Sequence, residues 1–316
     1  MNNKKTLIIV RNKNKYFWRW AVDSSLYDVR ELYAKECNIP FINQIKKKQR
    51  KLQYVYLGIL GGWKYDLVKY DKIIFLDSSY SRQTDKVVKR FQKKYHGKVI
   101  FFFWNKLHLD DNEARKQISA IYKNIEVWSY NKYDCKKFNL KYNSTMYIPN
   151  PYEIEEVSYE KAERDIFFGG WSTNERLVYL NSFFEKIQKY GITYFVDTSI
   201  VGKITFKPNM FVVNDKCLDY SSYLDEIKKS RVILNIDKYP NMGCSLRAIE
   251  ALQYKKKYIT NNIEICKETF YDDENIFILG KDNLDELKDF IKKPYKVIDN
   301  KVLEYYYIPQ WIKRFD

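Results

Sequence analysis

The chain has 316 residues, of which 45% are hydrophobic and 30% are charged. This length is enough for two domains of ordinary size, and the hydrophobic fraction excludes an intrinsically disordered protein. The formal net charge of +16 favours an acidic partner, such as nucleic acid, anionic lipid or a phosphorylated substrate.

The cysteines and the apolar runs indicate the compartment. Five cysteines are scattered along the chain and none has Cys-x2-Cys spacing, which is typical of free thiols in a reducing environment. Residues 1–5 lead directly into an apolar strand without a visible secretion signal, and no apolar run approaches the roughly 20 residues that cross a bilayer. We therefore expect a cytoplasmic protein that at most rests on the inner face of the cell membrane.

The positive charge is concentrated near the N-terminus. Residues 1–62 hold 13 Lys and Arg against 4 Asp and Glu, a net charge of 13 − 4 = +9. Much of it lies in the basic run of residues 46–51, which an aromatic and aliphatic segment follows up to residue 60. Such a pair can lie on an anionic membrane surface. A solvated helix end followed by a core segment explains the pattern equally well.

The first half of the chain alternates apolar strands with helical segments. Strands that are apolar throughout are typical of a parallel sheet that is covered on both faces. The alternation predicts a doubly wound α/β sheet. The predicted strands are residues 6–10, 71–79, 98–103 and 125–129, and the predicted helices are residues 16–20, 26–33 and 87–95.

The sequence Ile148-Pro149-Asn150-Pro151 interrupts this alternation. Two prolines within three residues favour an extended connection and prevent a helix from continuing. The alternation then resumes with predicted strands at residues 164–168, 193–196, 211–213, 232–236 and 258–260. We predict an N-terminal domain at residues 1–149, a second domain at residues 150–303 and a C-terminal segment at residues 304–316.

Residues 230–262 read as a strand, a loop, a helix at residues 245–254 and a second strand. In an open α/β sheet, ligands bind beyond the carboxyl ends of the strands, where helix N-termini offer unpaired N–H groups to anions. Arg247 could bind a diphosphate in bidentate fashion, or it could form a salt bridge with Glu250. Asn261 and Asn262 could contact sugar hydroxyls, although such pairs more often turn the chain.

The segment Gly-Cys-Ser-Leu-Arg-Ala-Ile-Glu-Ala-Leu from Gly243, together with the following Lys-Lys-Tyr-Ile-Thr-Asn-Asn, resembles the donor-binding segment of GT-B glycosyltransferases. The resemblance implies two Rossmann-like domains that face each other across a cleft, with the donor in the second domain and the acceptor in the first. It also implies that the last helix packs back on the first domain. The Glu-x7-Glu pattern of many retaining members is not present, because Met242 occupies the first position. By resemblance, Glu250 binds the nucleotide ribose, and the backbone amides of Gly243, Cys244, Ser245 and Leu246 hold the sugar or the diphosphate.

A second candidate loop, Phe-Gly-Gly-Trp-Ser-Thr-Asn-Glu-Arg from Phe168, directly follows the first strand of the second domain. Ser172 and Glu175 have the spacing of a capping box, which predicts that a helix begins near Thr173. The glycines allow close approach of a phosphate, and GT-B members bind the donor diphosphate from this turn. A tight turn with a solvated arginine is the alternative. The predicted donor-binding residues of this loop are Gly169, Gly170, Asn174 and Arg176.

A direct displacement at the anomeric carbon needs a base on the acceptor side, and the resemblance to GT-B enzymes implies that the first domain supplies it. Asp77 is the first choice because it ends an apolar strand, where burial could tune its pKa. Asp23, His108 and Asp134 are alternatives. A histidine-based metal site is improbable with only two histidines, and no Asp-x-Asp follows a strand. We therefore expect no metal and no cofactor, and we expect arginines and helix N-termini to neutralise the phosphates.

The resemblance to GT-B enzymes implies a glycosyltransferase of bacterial surface polysaccharide biosynthesis, in the capsule or lipopolysaccharide class. Its expected partners are a nucleotide sugar, a saccharide or lipid-linked acceptor and an anionic membrane surface, without nucleic acid. One alternative is a basic nucleic-acid-binding protein, although Rossmann, P-loop, zinc-finger and RNP-like patterns are not found in the sequence. Another alternative is a catalytically inactive GT-B relative that acts as an assembly partner.

Overall fold

The protein is described here by a computed structural model. It describes residues 5–11, 13–14, 16–32, 67–76, 95–107, 110–119, 121, 125–152, 158–200, 202–237 and 242–316. The basic run of residues 46–51, the apolar segment after it and nearly all of the helix predicted at residues 87–95 lie outside the described residues.

The chain divides into two compact units. Unit 1 comprises Met1–Asn150 and Ile308–Asp316, and unit 2 comprises Pro151–Tyr307. The boundary falls between Asn150 and Pro151, within the proline-containing segment. Each unit is built around its own parallel sheet.

Unit 1 contains a six-stranded sheet within the described residues, in the order β2-β1-β3-β4-β5-β6. All five strand pairs are parallel. The central strands are almost wholly buried, as their continuous apolar sequences predict. The strands are β1 (Lys5–Val10), β2 (Tyr27–Glu31), β3 (Tyr70–Leu76), β4 (Lys98–Phe103), β5 (Glu126–Ser129) and β6 (Lys141–Tyr142). The described α-helices of this unit are α1 (Asp111–Ser119), α2 (Lys132–Phe138) and, from the end of the chain, α8 (Ile308–Lys313).

One predicted helix of unit 1 is wrong. Residues 26–33 were expected to be helical, but Tyr27–Glu31 forms β2, the edge strand beside β1. An edge strand is only partly covered, so its sequence mixes charged and apolar residues and loses the continuous apolar signature of the central strands. The predicted helix at residues 16–20 is a short 3₁₀ helix, Tyr16–Trp20.

Unit 2 contains a five-stranded parallel sheet within the described residues, in the order β11-β10-β9-β7-β8. From β7 the chain passes first to β8 on one side and then to β9 on the other side. The strands are β7 (Arg164–Gly169), β8 (Tyr194–Asp197), β9 (Ser230–Asn235), β10 (Lys257–Thr260) and β11 (Ile276–Ile278). The helices are α3 (Asn174–Ile187), α4 (Tyr220–Lys228), α5 (Leu246–Gln253), α6 (Leu287–Lys292) and α7 (Asn300–Glu304).

The strand predicted at residues 211–213 is also wrong. The described residues between 202 and 219 form no strand or helix, and side chains of α3 hold this loop in place. Asn181 Oδ1 accepts hydrogen bonds from the backbone N–H groups of Asn209 (2.9 Å) and Met210 (3.1 Å). Phe211 packs its ring against Phe184. A run of three apolar residues cannot distinguish a strand from a loop that packs on the core.

The last residues of the chain belong to the core of unit 1. Trp311 is 0% exposed, and its ring centroid lies 5.1 Å from that of Phe102 on β4 and 4.5 Å from that of Phe315. Its indole N–H donates to Ser144 O at 2.8 Å. The aromatic character of the C-terminal segment is therefore explained by its packing on the sheet of unit 1.

None of the described helices combines the length and the apolar composition that crossing a lipid bilayer requires.

Trp311 provides a test of this packing. We expect Trp311→Ala to lower the free energy of unfolding of unit 1 by about 3–5 kcal/mol, because it removes a fully buried aromatic side chain. The control is Trp171→Ala, since Trp171 is 52% exposed and should change stability by only about 0.5 kcal/mol. Urea denaturation followed by circular dichroism measures both. Equal effects of the two substitutions would contradict the packing.

Two buried lysines lie at the amino end of β10, Lys257 as its first residue and Lys256 directly before it. The Lys256 ammonium donates to Lys228 O at 2.8 Å, and the Lys257 ammonium donates to Phe290 O at 2.5 Å. Burial lowers the pKa of each lysine to about 8. The folded state therefore carries a disfavoured charge below pH 8, where the unfolded chain is also protonated. Between pH 8 and the ordinary lysine pKa of about 10.4 the unfolded state binds more protons, so this contribution to stability rises with pH.

Relative to the unsubstituted chain, we expect Lys257→Met to have a higher free energy of unfolding at pH 7 than at pH 9.5. At pH 7 the folded state of the unsubstituted chain buries a charged lysine, whereas at pH 9.5 this lysine is largely neutral in the folded state. Urea denaturation at both pH values measures the difference between the two proteins. Lys207→Met, at an exposed position, is the control for the loss of a surface charge. A difference for Lys257→Met that does not depend on pH would show that the lysine is not disfavoured in its charged form.

Candidate functional site

The candidate site lies at the carboxyl ends of β7 and β9. These strands are neighbours in the sheet, and the chain leaves β7 toward β8 on the side opposite to β9. In open α/β sheets, ligands bind in the crevice at such a switch point, because the connections diverge there and leave the strand ends open. β7 ends at Gly169 and β9 ends at Asn235. Both strand ends bear residues with direct roles in the site.

The loop after β7 requires glycine at position 170. Gly170 has φ = +135°, a conformation that L side chains rarely adopt. A Cβ at this position would lie 2.1 Å from Arg247 Nη2. The backbone is fixed by a hydrogen bond from Gly170 N to Asp197 O at 2.9 Å. Gly170 therefore makes room for the guanidinium of Arg247.

Arg247, in the first turn of α5, connects the two strand ends. Its Nε and Nη2 donate to Gly169 O at 3.0 and 2.5 Å, and its Nη1 donates to Asn235 Oδ1 at 3.1 Å. These bonds use three of the five N–H donors of a guanidinium. Burial acts to lower the pKa of Arg247, but the acidic groups around it, including Tyr223 and Glu250, raise it on balance. Arg247 is therefore a charged cross-link at the switch point.

Side chains at the strand ends extend this network. Asn235 Nδ2 donates to Asp237 Oδ1 at 2.8 Å, and Asp237 N donates to Asn261 Oδ1 at 2.8 Å. Asn262 Nδ2 donates to Met242 O at 3.0 Å in the loop before α5. Asn261 and Asn262 thus fix the chain at this edge, and their contact with sugar hydroxyls stays a prediction.

Two helices begin at this edge without side-chain caps. The N-cap residues are Thr173 for α3 and Ser245 for α5, and neither side chain accepts a hydrogen bond from the first turn. The Ser245 hydroxyl pairs with Tyr258 OH at 2.9 Å. The Thr173 Oγ1 is buried and has no hydrogen-bond partner among the described residues. The N-cap side chains thus leave the first-turn amides to other acceptors, which is the arrangement of an anion site.

The predicted capping box of Ser172 and Glu175 is wrong. The Ser172 hydroxyl pairs with Thr198 Oγ1 at 2.7 Å, at the end of the neighbouring β8. The N-cap is the next residue, and α3 begins at Asn174. The helix start was predicted correctly, but the serine fixes the loop to the sheet instead of capping the helix.

The other two predicted residues of this loop lie in the first turn of α3. Asn174 Nδ2 donates to Lys203 O at 3.0 Å, and its Oδ1 accepts from Thr205 N at 2.8 Å. Arg176 Nη1 donates to Trp171 O at 2.6 Å. Asn174 thus holds the long loop after β8, and Arg176 holds the glycine loop. Their direct contact with a donor stays a prediction.

Glu250 lies below the surface of the edge. It is 1% exposed, and its two carboxylate oxygens accept hydrogen bonds from the hydroxyls of Tyr220 and Tyr223 on α4, both at 2.8 Å. Burial raises the pKa of Glu250. In this position the carboxylate joins α4 to α5, and its contact with a ribose stays a prediction. Gly243 and Cys244 lie in the loop before α5, and Leu246 is the first residue of that helix.

The predicted catalytic residues are placed only in part. Asp77 and His108 lie outside the described residues. Asp23 is ion-paired with Arg30, at 2.7 and 2.8 Å for its two oxygens, and this pairing lowers the pKa of Asp23, which makes it a weaker base. Asp134 is buried in α2 and accepts a hydrogen bond from Leu107 N at 2.9 Å. Burial raises the pKa of Asp134, and its carboxylate fixes the loop after β4.

Four further residues of this edge are not indicated by the sequence motifs: Asn235, Asp237, Thr173 and Trp171. Asn235 and Asp237 follow an apolar strand in the same way as Asp77 follows β3, so the rule that selected Asp77 could have found them. Burial raises the pKa of Asp237, against the opposing effects of Asn235, Arg176 and Arg247. Among the described residues, no group of three or more His, Cys, Asp or Glu side chains is arranged to hold a metal ion.

No protein-family model matches the chain, and the comparison with curated proteins found no relative. Among solved structures, the chain is similar to Anabaena Alr3699/HepE in complex with UDP-glucose, with 11% sequence identity, a TM-score of 0.51 and coverage of 91% of this chain and 88% of that chain. It is also similar to an alpha-glucosyltransferase in complex with UDP and a 13-mer DNA, with 10% identity, a TM-score of 0.50 and coverage of 95% and 90%. These similarities show the fold, and the predicted class of two parallel α/β sheets of the GT-B type is confirmed.

The mutual dependence of Gly170 and Arg247 provides a test of the site. We expect Gly170→Ala to destabilise unit 2 by about 1–3 kcal/mol from its backbone conformation alone, and by more because the methyl group displaces Arg247. Gly202→Ala is the matched control, since Gly202 also has positive φ (+100°) but no atom within 4 Å of an added Cβ. Urea denaturation measures both variants. If Gly170→Ala costs no more than Gly202→Ala, the arginine does not depend on the glycine.

Proposed function

We propose that this protein is a glycosyltransferase that binds a nucleotide sugar at the carboxyl edge of the unit 2 sheet. The observation that carries the proposal is the set of groups at one switch point: two helix N-termini without side-chain caps, Gly170, and the arginines Arg176 and Arg247. A nucleotide sugar contains a diphosphate, and each of these groups favours an anion.

The electrostatics of the edge suit a diphosphate. A helix N-terminus carries roughly half a positive charge, and α3 and α5 both begin here. The guanidinium of Arg176 lies in the first turn of α3, where it is unfavourable for the helix dipole unless an anion is near. Gly169 and Gly170 present backbone without side-chain bulk. Together these groups would balance the charge of a leaving diphosphate during sugar transfer, and we propose that they do so without a metal.

We propose a uridine nucleotide as the first donor to test. HepE was solved with UDP-glucose, and the alpha-glucosyltransferase with UDP. Both share the fold of this chain, and in such folds ligands bind at the carboxyl ends of parallel strands. Glu250 would then support the donor site from below, and a direct bond to the ribose would require the carboxylate to become exposed.

The proposed acceptor is a saccharide or a lipid-linked saccharide of bacterial surface polysaccharide biosynthesis, bound by unit 1. The net charge of +9 in residues 1–62 supports an anionic partner for this unit, such as a lipid diphosphate or the inner face of the membrane. In the sheet of unit 1, the connections diverge between β1 and β3. Asp77 directly follows β3, and it remains our first choice for the base that activates the acceptor.

The proposal predicts that UDP-glucose or UDP binds the purified chain and stabilises it, by about 2.7 kcal/mol at a hundred times the dissociation constant. Arg176→Gln should weaken this binding roughly 10- to 150-fold, because a hydrogen bond to a charged group contributes about 1.5–3 kcal/mol. Arg231→Gln is the matched control, since Arg231 lies at the other end of β9, where it pairs with Asp165. Calorimetric titration measures both variants, and release of UDP with an acceptor mixture measures transfer.

Two results would count against the proposal. Equal loss of affinity in Arg176→Gln and Arg231→Gln would show that the nucleotide does not bind at this edge. Steeply salt-dependent binding of DNA or RNA that UDP-glucose does not compete would favour a nucleic-acid-binding protein.

A further inference from the structure

Asp237 is held rigidly at the switch point, two residues beyond the end of β9. Its Oδ1 accepts a hydrogen bond from Asn235 Nδ2 at 2.8 Å, and its backbone N–H donates to Asn261 Oδ1 at 2.8 Å. Asn261 Nδ2 donates in return to Asp237 O at 3.3 Å. Both the backbone and one carboxylate oxygen are therefore fixed by neighbouring strand ends.

The second carboxylate oxygen has no such bond. Asp237 Oδ2 is buried and has no hydrogen-bond partner among the described residues. The side-chain amide of Asn262 lies beside this carboxylate and lowers its pKa, and the Nδ2 of that amide donates to Met242 O at 3.0 Å. A buried acceptor without a donor costs free energy, and such atoms in native structures call for an explanation. A ligand that brings a donor to this oxygen would remove the cost.

A second buried polar atom at this edge also lacks a hydrogen-bond partner within the described part of the chain. Thr173 Oγ1, at the start of α3, is buried and has no hydrogen-bond partner among the described residues. Arg176, three residues further on, is close enough to Asp237 to lower the pKa of that carboxyl, so the loops after β7 and β9 lie near each other at the same edge of the sheet. One unsatisfied atom lies on the loop after β7 and the other on the loop after β9, which are the two sides of the switch point.

The chemistry of the missing partner follows from the carboxylate. An ionised carboxylate only accepts hydrogen bonds and repels phosphate oxygens, so its partner must be a donor. In a nucleotide sugar, the diphosphate has a hydroxyl-bearing sugar on each side, and the base lies further away, beyond the ribose. With the diphosphate drawn to Arg176 and Arg247, the groups next to it are the hydroxyls of these two sugars.

We propose that Asp237 is a specificity-determining residue that accepts a hydrogen bond from a hydroxyl of the bound nucleotide sugar, on either the ribose or the transferred sugar. This inference rests on the proposed function. Asp237 then favours a ligand that bears hydroxyl groups over a bare diphosphate, because the carboxylate accepts from hydroxyls and repels phosphate oxygens.

Calorimetric titration of the full chain and of Asp237→Asn tests the inference. The amide keeps the size of the side chain and can still accept from Asn235, but it places a donor where Oδ2 lies. We expect Asp237→Asn to bind UDP-glucose at least tenfold more weakly and to bind pyrophosphate as well as, or better than, the unmodified chain. Asp165→Asn, at the opposite end of the sheet in unit 2, is the control for the loss of one negative charge.

The choice of probes identifies the hydroxyl. If the ribose supplies it, Asp237→Asn weakens UDP as well, and the unmodified chain discriminates against 2′-deoxy-UDP or 3′-deoxy-UDP. If the transferred sugar supplies it, UDP binds equally to both proteins and only UDP-glucose loses affinity. The comparison of probes on the unmodified chain needs no variant, so it remains decisive if Asp237→Asn does not fold.

The inference is overturned if Asp237→Asn binds all probes like the unmodified chain, or if it loses pyrophosphate and UDP-glucose to the same extent. It is also overturned if the unmodified chain binds UDP and both deoxy analogues equally and UDP-glucose no more tightly than UDP. In each of these cases the proposed function stands, because nucleotide binding persists. Failure of the unmodified chain to bind any nucleotide overturns the proposed function and this inference together.

Discussion

The carboxyl edge of the unit 2 sheet depends on the guanidinium of Arg247. This side chain comes from α5 and donates to Gly169 O on β7 and to Asn235 Oδ1 on β9, at the place where the chain connections leave the sheet in opposite directions. Removing one partner of a buried charge typically costs about 3–5 kcal/mol. Gly170 allows the arrangement because a Cβ there would clash with the guanidinium. The glycine and the arginine therefore form one structural requirement.

The neighbouring glycine is required for a different reason. A Cβ on Gly169 would lie 2.7 Å from the ring of Tyr223 on α4, and this tyrosine also packs its ring against Phe167. The hydroxyl of Tyr223 donates to Glu250, which lies one turn after Arg247 on α5. A layer of buried side chains from α4 and α5 thus supports the strand end from below. The packing of the chain itself therefore requires glycine at both positions, and the same glycines would allow a phosphate to approach the backbone closely.

The sequence was most informative where residues are buried on both sides. The predicted strand at residues 98–103 matches β4 (Lys98–Phe103), because a covered central strand must be apolar throughout. The edge strand β2 was mistaken for a helix because it is only half covered. Gly170 and Arg247 could be selected from their positions after a strand and in a helix start. The roles of Ser172 and Glu250 could not, because their partners Thr198, Tyr220 and Tyr223 are distant in sequence and only the fold brings them near.

The balance of charge at the switch point limits which ligands suit it. Among the described residues, this edge holds two cations, Arg176 and Arg247, and the carboxylate of Asp237, with Glu250 buried beneath. The positive side chains are thus largely offset by acidic ones, and the excess that attracts an anion comes from the N-termini of α3 and α5. A free phosphate would meet the helix ends but also the carboxylate of Asp237. A ligand that carries a diphosphate and hydroxyl groups on the same molecule meets both, because its oxygens face the amides and its hydroxyls face the carboxylate.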